Sequence, residues 1–312
     1  MNYGFWKDLE QPFSALAPMA EVTDLAFRKI ILESGRPDVF YTEFVSADGL
    51  ASRGRDRLLL DLRFSKKEHP IVAQFFGSKP ETIYEAARTA RELGFDGVDI
   101  NMGCPDRKVI KQGAGIGLYK TLELVPEIIA AAREGAGLLP VSVKTRLGYG
   151  SINMDWIDLI LKCKIPVLIV HLRTMKEMSK VPAHWEVVPE IIAVAKKHKT
   201  LVVGNGDVMD MDEARRRASE SGANGVMIGR GIFTNPWLFN EKVNPAKLTP
   251  KKRLALLRRH IKYFEKAWGD KRNFNILKKF FKIYCSGWDG AKELRTKLME
   301  CKDRSGVKNF LR

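Results

Sequence analysis

Cys104 stands between Gly103 and Pro105, in a stretch whose residues favour a loop, whereas Cys163, Cys285 and Cys301 fall among helix-forming neighbours. A loop thiol is a candidate acid or nucleophile, while a thiol on a helical face is more often a small core filler. Other chemically able residues recur at the ends of short β-branched runs: Pro18-Met19-Ala20, Glu43, Gln74, Asn101, Lys144 with Arg146, and His171 with Arg173. Asn205-Gly206-Asp207 and Gly229-Arg230-Gly231 complete the series. Gln74 and Asn101 offer amide donors and acceptors but no acid or base, which suits reading the edge of a planar heterocycle. Lys144 has three chemical uses, as Schiff-base nucleophile, base or cation facing an anionic ring, and one structural use, an ion pair with Glu43. The glycine turns around 206 and 229–231, each with a helix expected soon after, offer backbone N–H groups to a phosphate, and Arg230 adds charge-assisted hydrogen bonds. The same glycines would also serve simply to relieve tight turns. Together the groups suit a phosphate-anchored flavin better than an aldol substrate.

These residues need elements to bring them together. Eight strand-like runs are expected at 14–19, 39–44, 70–77, 97–101, 140–146, 166–173, 200–205 and 225–229. Between them lie segments with helical apolar spacing, such as Ile83, Ala87, Ala90 and Leu93, with glycines 35, 94, 135 and 222 near their ends. Eight strands, mostly followed by helices, in about 230 residues predict an α/β fold of the (β/α)8 TIM-barrel class rather than an open doubly wound sheet. Such barrels carry their working residues at the C-terminal strand ends, where the polar residues named above fall. The segment 46–67 reads as a loop with a short helix instead of a clean crossover. We divide the chain into a barrel, residues 1–240, and a C-terminal α-helical bundle, residues 241–312. Three apolar stripes are expected in the bundle: Leu254, Leu257, Ile261, Phe264 and Trp268; Leu277, Phe280, Phe281 and Tyr284; Leu294, Leu298 and Cys301.

Charge separates the two parts. The 312 residues carry 53 Lys+Arg against 37 Asp+Glu, a net +16, and residues 246–312 hold 20 basic and 6 acidic residues, a net +14. A basic appendage on a nearly neutral body points to a polyanionic partner, with a merely solvated basic face as the alternative. The cysteines are too scattered for a disulfide framework or a structural metal site. No apolar run approaches the roughly 18 residues of a membrane span, and the first ten residues do not resemble a signal peptide. A cytoplasmic protein without a membrane partner is expected.

The assembled motifs resemble the tRNA-dihydrouridine synthases. The resemblance is carried by APMAEVTDLAFR (17–28), TEFVSADGL (42–50), QFFG (74–77), VDINMGCPDRKV (98–109), GAGIGL (113–118), PVSVKTRLG (140–148), HLRT (171–174), NGDV (205–208) and GVMIGRGIFTNPW (225–237). It implies an FMN-dependent flavoprotein that uses NADPH, or less favourably NADH, to reduce the C5–C6 double bond of tRNA uridines to dihydrouridine. Pro18, Met19 and Ala20 would lie beneath the flavin ring, Gln74 at its edge, Lys144 opposite N1/O2 and His171 nearby. Asn101 would touch the flavin or the uracil. Asn205, Gly206, Asp207, Gly229 and Arg230 would hold the ribityl phosphate end. Cys104 falls on the family's catalytic cysteine, the proton donor, so its thiol should not have a depressed pKa. Arg146 and Arg173 would contact the target nucleotide or else hold loops, and the basic bundle would bind tRNA. A monomer is expected, and no metal. The chain departs from the family pattern at Leu172 and Glu21, where glycine is usual, and at Gly117, where alanine is common. The rivals are a flavin barrel acting on a free pyrimidine, an RNA-binding protein with a vestigial flavin site, and an aldolase-like phosphate-binding barrel.

Overall fold

A computed structural model describes residues 1–311. β-Branched and aromatic residues dominate β1 (Phe13–Leu16), β2 (Phe40–Ser46), β3 (Ile71–Phe76) and β4 (Gly97–Met102). They recur in β5 (Val141–Arg146), β6 (Val167–His171), β7 (Leu201–Asn205) and β8 (Gly225–Ile228). Each strand falls within or next to its expected run. All pair in parallel, in the order β1-β8-β7-β6-β5-β4-β3-β2. The remaining seam between β1 and β2 is bridged at Ala15 and Val39, where Val39 N–H donates to Ser14 O at 3.1 Å and Leu16 N–H to Val39 O at 3.1 Å. The eight strands thus curl into the expected (β/α)8 barrel.

Strand alternation sorts side chains into two layers. Phe13, Ala15, Tyr41, Val72, Ile169 and Met227 belong to the inner cluster, which Trp6 joins at the N-terminal end of the barrel. Their strand neighbours, among them Phe40, Ala73, Ile100, Val143 and Val170, face outward into the layer beneath the helices. That helical layer comprises α1 (Leu25–Ser34), the short α2 (Ala47–Leu50) and α3 (Arg55–Leu59), α4 (Pro80–Leu93), α5 (Arg107–Lys111), α6 (Leu124–Ala136), α7 (Met154–Lys162), α8 (Val188–Lys197) and α9 (Met211–Ser221). The segment 46–67 is irregular as expected, although it forms two short helices instead of one. Gly35, Gly94 and Gly222 cap α1, α4 and α9, whereas α6 runs on to Ala136 and is capped by Gly137, not Gly135.

Beyond residue 249 the chain is helical: α10 (Pro250–Trp268), α11 (Asn275–Lys278), α12 (Phe281–Tyr284), α13 (Ala291–Glu300) and α14 (Arg304–Phe310). Leu257, Ile261, Phe264 and Trp268 are buried as the first stripe requires, but Leu254 is only partly covered and Leu256 takes a core place instead. The second stripe is not one helix. It breaks between α11 and α12, and Phe280 packs against Phe27 of α1 with ring centroids 4.7 Å apart and the planes tilted by 38°. In the third, Leu298 and Cys301 are buried and Leu294 is half-buried; α14 follows without having been anticipated. No described helix is long and apolar enough to cross a membrane.

Candidate active site

A cavity of about 480 Å³ opens at the C-terminal ends of β1 and β5–β8, within the size range of small-molecule and cofactor sites. Pro18, Met19, Lys144, His171 and Arg230 line it, together with Asn205-Gly206-Asp207 and Gly229. Nine expected positions therefore border one space, while Ala20, Gln74, Asn101, Cys104, Arg146 and Arg173 are outside its lining.

Lys144 points inward from β5 because it alternates with the outward Val143 and Thr145, and it is registered beside Asn101 of β4 and Ile169 of β6. It makes no ion pair with Glu43, whose Oε2 accepts from Arg272 Nη2 at 2.7 Å, and no described carboxylate reaches it as a salt-bridge partner. Burial, reinforced by the Arg146 charge and opposed by Asp99, lowers the ammonium pKa to about 8, so it remains mainly a cation at pH 7. An unpaired cation in a cavity wall is a receptor for negative charge on a ligand.

His171, at the end of β6, has Nε2 3.3 Å from Arg173 Nη1. A guanidinium can only donate, so Nε2 accepts and Nδ1 carries the ring proton. Burial, followed by the charges of Lys144, Arg146, Arg173 and Arg230, pushes its pKa far below the ordinary histidine range. The imidazole is neutral and can donate through Nδ1.

The far end of the cavity is built largely from backbone. Asn205 Nδ2 donates to Met227 O at 2.7 Å, tying β7 to β8. Asp207, at φ +53°, accepts from Arg173 and from Ala183 N–H at 2.9 Å. Burial raises its pKa, but these hydrogen bonds and the charges of Arg173 and Arg230 outweigh it, and the carboxyl is lowered overall. Gly206 has φ +138°, and a Cβ there would stand 2.7 Å from Ala183 Cβ, so glycine is structurally required. Gly229 differs: its Cβ would meet only Ala17 Cβ at 3.6 Å and Met19 Sδ at 3.7 Å, both in the cavity wall, and the absent methyl leaves room for a ligand. Asp210 caps α9, accepting from Glu213 N–H at 2.7 Å, and the acidic Asp212 and Glu213 of its first turn repel negative charge. Any anion held here would therefore meet the loop and Arg230, not that helix terminus. The exposed Arg230 guanidinium, 3.7 Å from Asp207, is available for the purpose.

Gln74 and Asn101 face the barrel interior but spend their amides within it. Gln74 Nε2 donates to Asp99 at 2.7 Å and Asn101 Nδ2 donates to Gln74 Oε1 at 3.1 Å. Asn101 Oδ1 accepts the N–H groups of Gly103 and Cys104 at 3.1 and 2.9 Å, so the chain of amides ends by shaping the cysteine loop. Asp99 also accepts from Ser142 Oγ at 2.5 Å; burial raises its pKa to about 6 despite the hydrogen bonds from Ser142 and Gln74. Asp99 and Ser142 were missed by sequence reasoning, although their alternation with Val98, Ile100, Val141 and Val143 was the available signal.

Arg146 and Arg173 hold loops. Arg146 Nε donates to Gly103 O at 2.9 Å and Nη1 to Thr174 O at 3.1 Å, while Arg173 Nε donates to Val181 O at 2.6 Å. Cys104 is half-buried, and burial, with the Asp106 charge also raising it, moves its thiol above the ordinary cysteine range, against the opposing Asp106 backbone hydrogen bond and the charges of Arg146 and Lys144. The thiol is held protonated, as an acid must be. Of the departures, Leu172 is fully buried in the outer layer, away from the cavity, and a Cβ at Gly117 would press on Ile110 O at 3.2 Å.

The family model described as Dihydrouridine synthase (Dus) matches residues 15–312. The chain is 44% identical to the "probable tRNA-dihydrouridine synthase 2" of Bacillus subtilis, over all of this chain and 96% of the relative. It is 45% identical to a "probable tRNA-dihydrouridine synthase" of Staphylococcus aureus, over 96% of this chain and 92% of that one. Among solved structures, a variant of NCR from Zymomonas mobilis superposes with a TM-score of 0.54 at 18% identity, covering 78% of this chain and 90% of that one. A morphinone reductase mutant in complex with tetrahydroNAD superposes with a TM-score of 0.51 at 14% identity, covering 76% and 87%. These two likenesses concern the fold alone.

Proposed function

The chain belongs to the dihydrouridine synthase family, and from that premise we propose that this oxidoreductase reduces the C5–C6 double bond of uridines in tRNA, with FMN in the cavity and NADPH as reductant. The observation that carries the cofactor assignment is Lys144, an unpaired ammonium in the wall of a cavity whose other end is a glycine-lined loop beside Arg230. An anionic ring at one end and a phosphate at the other match these groups in charge. Pro18 and Met19 would support the ring from below, Lys144 would face N1/O2, and His171 would donate from Nδ1. Asn205, Gly206, Asp207, Gly229 and Arg230 would enclose the phosphate end. Gln74 and Asn101 would act at the edge of the site through the amide chain they share with Asp99. We assign the reaction to the cytoplasm and to a monomer.

Held by these residues, FMN would supply the hydride chemistry at uracil C6. The remaining task falls to this chain: a proton must reach C5 as negative charge spreads from the C4 carbonyl. Cys104 is the assigned donor because its thiol is protonated and its loop is fixed by Asn101 and Arg146. The uridine must be turned out of its stack to enter the barrel mouth, with Arg146 and Arg173 at the loops it would pass. The basic C-terminal helices would attract the tRNA backbone without reading sequence.

The test is to incubate purified protein with NADPH and unmodified tRNA, digest the RNA and look by mass spectrometry for uridines heavier by about two mass units, alongside Cys104→Ala. A product lost in the mutant supports both reaction and acid. A flavin-loaded protein inactive on a broad set of tRNAs points to a free pyrimidine substrate, and tRNA binding with neither flavin nor turnover supports the RNA-binding rival.

A further inference from the structure

The turn that leaves β1 and gives Pro18 and Met19 to the cavity is not held by the barrel alone. Glu21 adopts a left-handed backbone, φ +56°, which a non-glycine residue takes up at a cost and which outside contacts must maintain. Its N–H donates to Glu43 Oε1 at 2.5 Å. The other oxygen of Glu43 accepts from Arg272, in the connection between α10 and α11. We propose that Arg272, reaching across from the C-terminal helices, is a positioning residue that holds the Pro18–Asp24 turn in the shape that walls the cofactor cavity.

The surroundings of Arg272 fit that task. Its Nη2 bonds Glu43 at 2.7 Å and Asp61 at 2.6 Å, and its Nη1 lies 3.5 Å from Asp24. Three carboxylates from different segments of the barrel thus converge on one guanidinium. Its face lies 3.8 Å from the centroid of Trp268, whose Nε1–H donates to Asp24 at 2.6 Å, so the arginine is fixed in orientation as well as in charge. Of the other cations nearby, Arg63 is turned to Trp268 and donates to Ala267 O, and Arg28 donates to Glu68 and to Thr23 O, leaving Arg272 as the guanidinium that bonds Glu43. Burial lifts the Glu43 pKa to about 7 even with Arg272 opposing it; removing the guanidinium would favour a neutral Glu43, a weaker acceptor for the Glu21 N–H. A second tether, Glu21 to Lys279 at 3.0 Å, is more exposed and correspondingly weaker. Both partners of the turn, Arg272 and Lys279, belong to the basic C-terminal region, so docking of that region and shape of the cavity are linked.

The assignment rests on the cofactor reading only for what the wall serves. It is tested by hydrogen exchange on the full chain freed of flavin, with FMN titration as a second readout. Arg272→Met keeps a stem against Trp268 but loses the charge and the fork. Exchange over residues 18–24 is expected to quicken about tenfold or more and FMN affinity to fall about tenfold, while α10 keeps its protection. Arg272→Lys should restore part of both. Unchanged exchange over 18–24 in Arg272→Met, with the helices still protected, overturns the proposal. Should Arg272→Met loosen α10 as well, Arg272→Lys decides: faster exchange confined to 18–24 supports the role, and unchanged exchange there overturns it. A wild-type chain that binds no FMN would remove the cofactor reading and leave the exchange result to judge Arg272.

Discussion

The inner wall of the barrel has two unlike halves. Along β3–β5 the inward positions include Gln74, Asp99, Asn101, Ser142 and Lys144, joined in part by hydrogen bonds and leading to the Cys104 loop. Along β6–β8 the inward positions are Val167, Ile169, Val203 and Met227 until the strand ends, where His171 and Asn205 begin a polar rim that continues in the loops after β7 and β8. Buried polar groups are costly unless each has a partner, so the first half is a network that fixes orientation and charge. The second half commits little beyond its rim and can hold a ligand through backbone and missing side chains. Chemistry and grip are thereby divided between the two halves.

The division breaks most visibly at Cys104. Cys104→Ala removes the acid at the end of the polar half without touching the cavity lining, so product formation should fall about 10²- to 10⁴-fold while FMN affinity and thermal stability stay near wild type. Single-turnover reduction of tRNA followed by mass spectrometry, with flavin fluorescence as the binding readout, measures both. A loss of FMN affinity as large as the loss of rate would mean that the cysteine loop belongs to the gripping half.

Sequence legibility followed the same division. The eight strands were visible because β-branched runs are bounded by glycine, proline and polar residues, and the rim glycines because turn chemistry is local. Gln74 and Asn101 stand out as amides at strand ends, but residue type and periodicity cannot say that their partners are Asp99 and each other instead of a heterocycle edge. Arg146 and Arg173 carried two readings, and the carbonyls of Gly103, Thr174 and Val181 that they bond are backbone groups with no signature in residue type. Least legible was Arg272, 229 residues from Glu43 and hidden among many basic neighbours whose charges looked interchangeable. Glu21 stood out as a departure from glycine, yet only the fold reveals that its side chain meets Lys279 while its N–H meets Glu43.

Lys144 offers a sharper test, because its charge should oppose folding while serving the site. Its pKa is near 8 in the folded chain against 10.5 for a free lysine, so the folded state disfavours the bound proton. Below pH 8 the whole penalty is present; between about 8 and 10.5 the unfolded chain holds more protons and the penalty disappears as pH rises. Lys144→Met should therefore stabilise the flavin-free protein at pH 7 by up to about 3 kcal/mol, with the advantage vanishing above pH 10.5. FMN affinity and activity should fall in the same variant. Denaturant melts at pH 7 and 10 are the measurement, and equal stability of the two proteins at pH 7 would show that Lys144 has a partner after all.

The smallest effect tests the gripping half with one methyl group at each of two glycines. At Gly206 an added Cβ meets Ala183 Cβ at 2.7 Å and the backbone is left-handed at φ +138°, so Gly206→Ala should cost about 1–3 kcal/mol of stability whether or not a ligand is present. At Gly229 the added Cβ finds only ordinary contacts with Ala17 and Met19, so packing gives no reason for the flavin-free chain to be destabilised. The methyl instead occupies ligand space, and FMN affinity should fall by about tenfold, worth about 1.4 kcal/mol. Thermal melts with and without FMN separate the two: Gly206→Ala should melt early in both, and Gly229→Ala early only when FMN is supplied, relative to wild type under the same conditions. If Gly229→Ala bound FMN as wild type does, the space beside Met19 would not be the cofactor's, and the grip would have to be reassigned to the loop after β7.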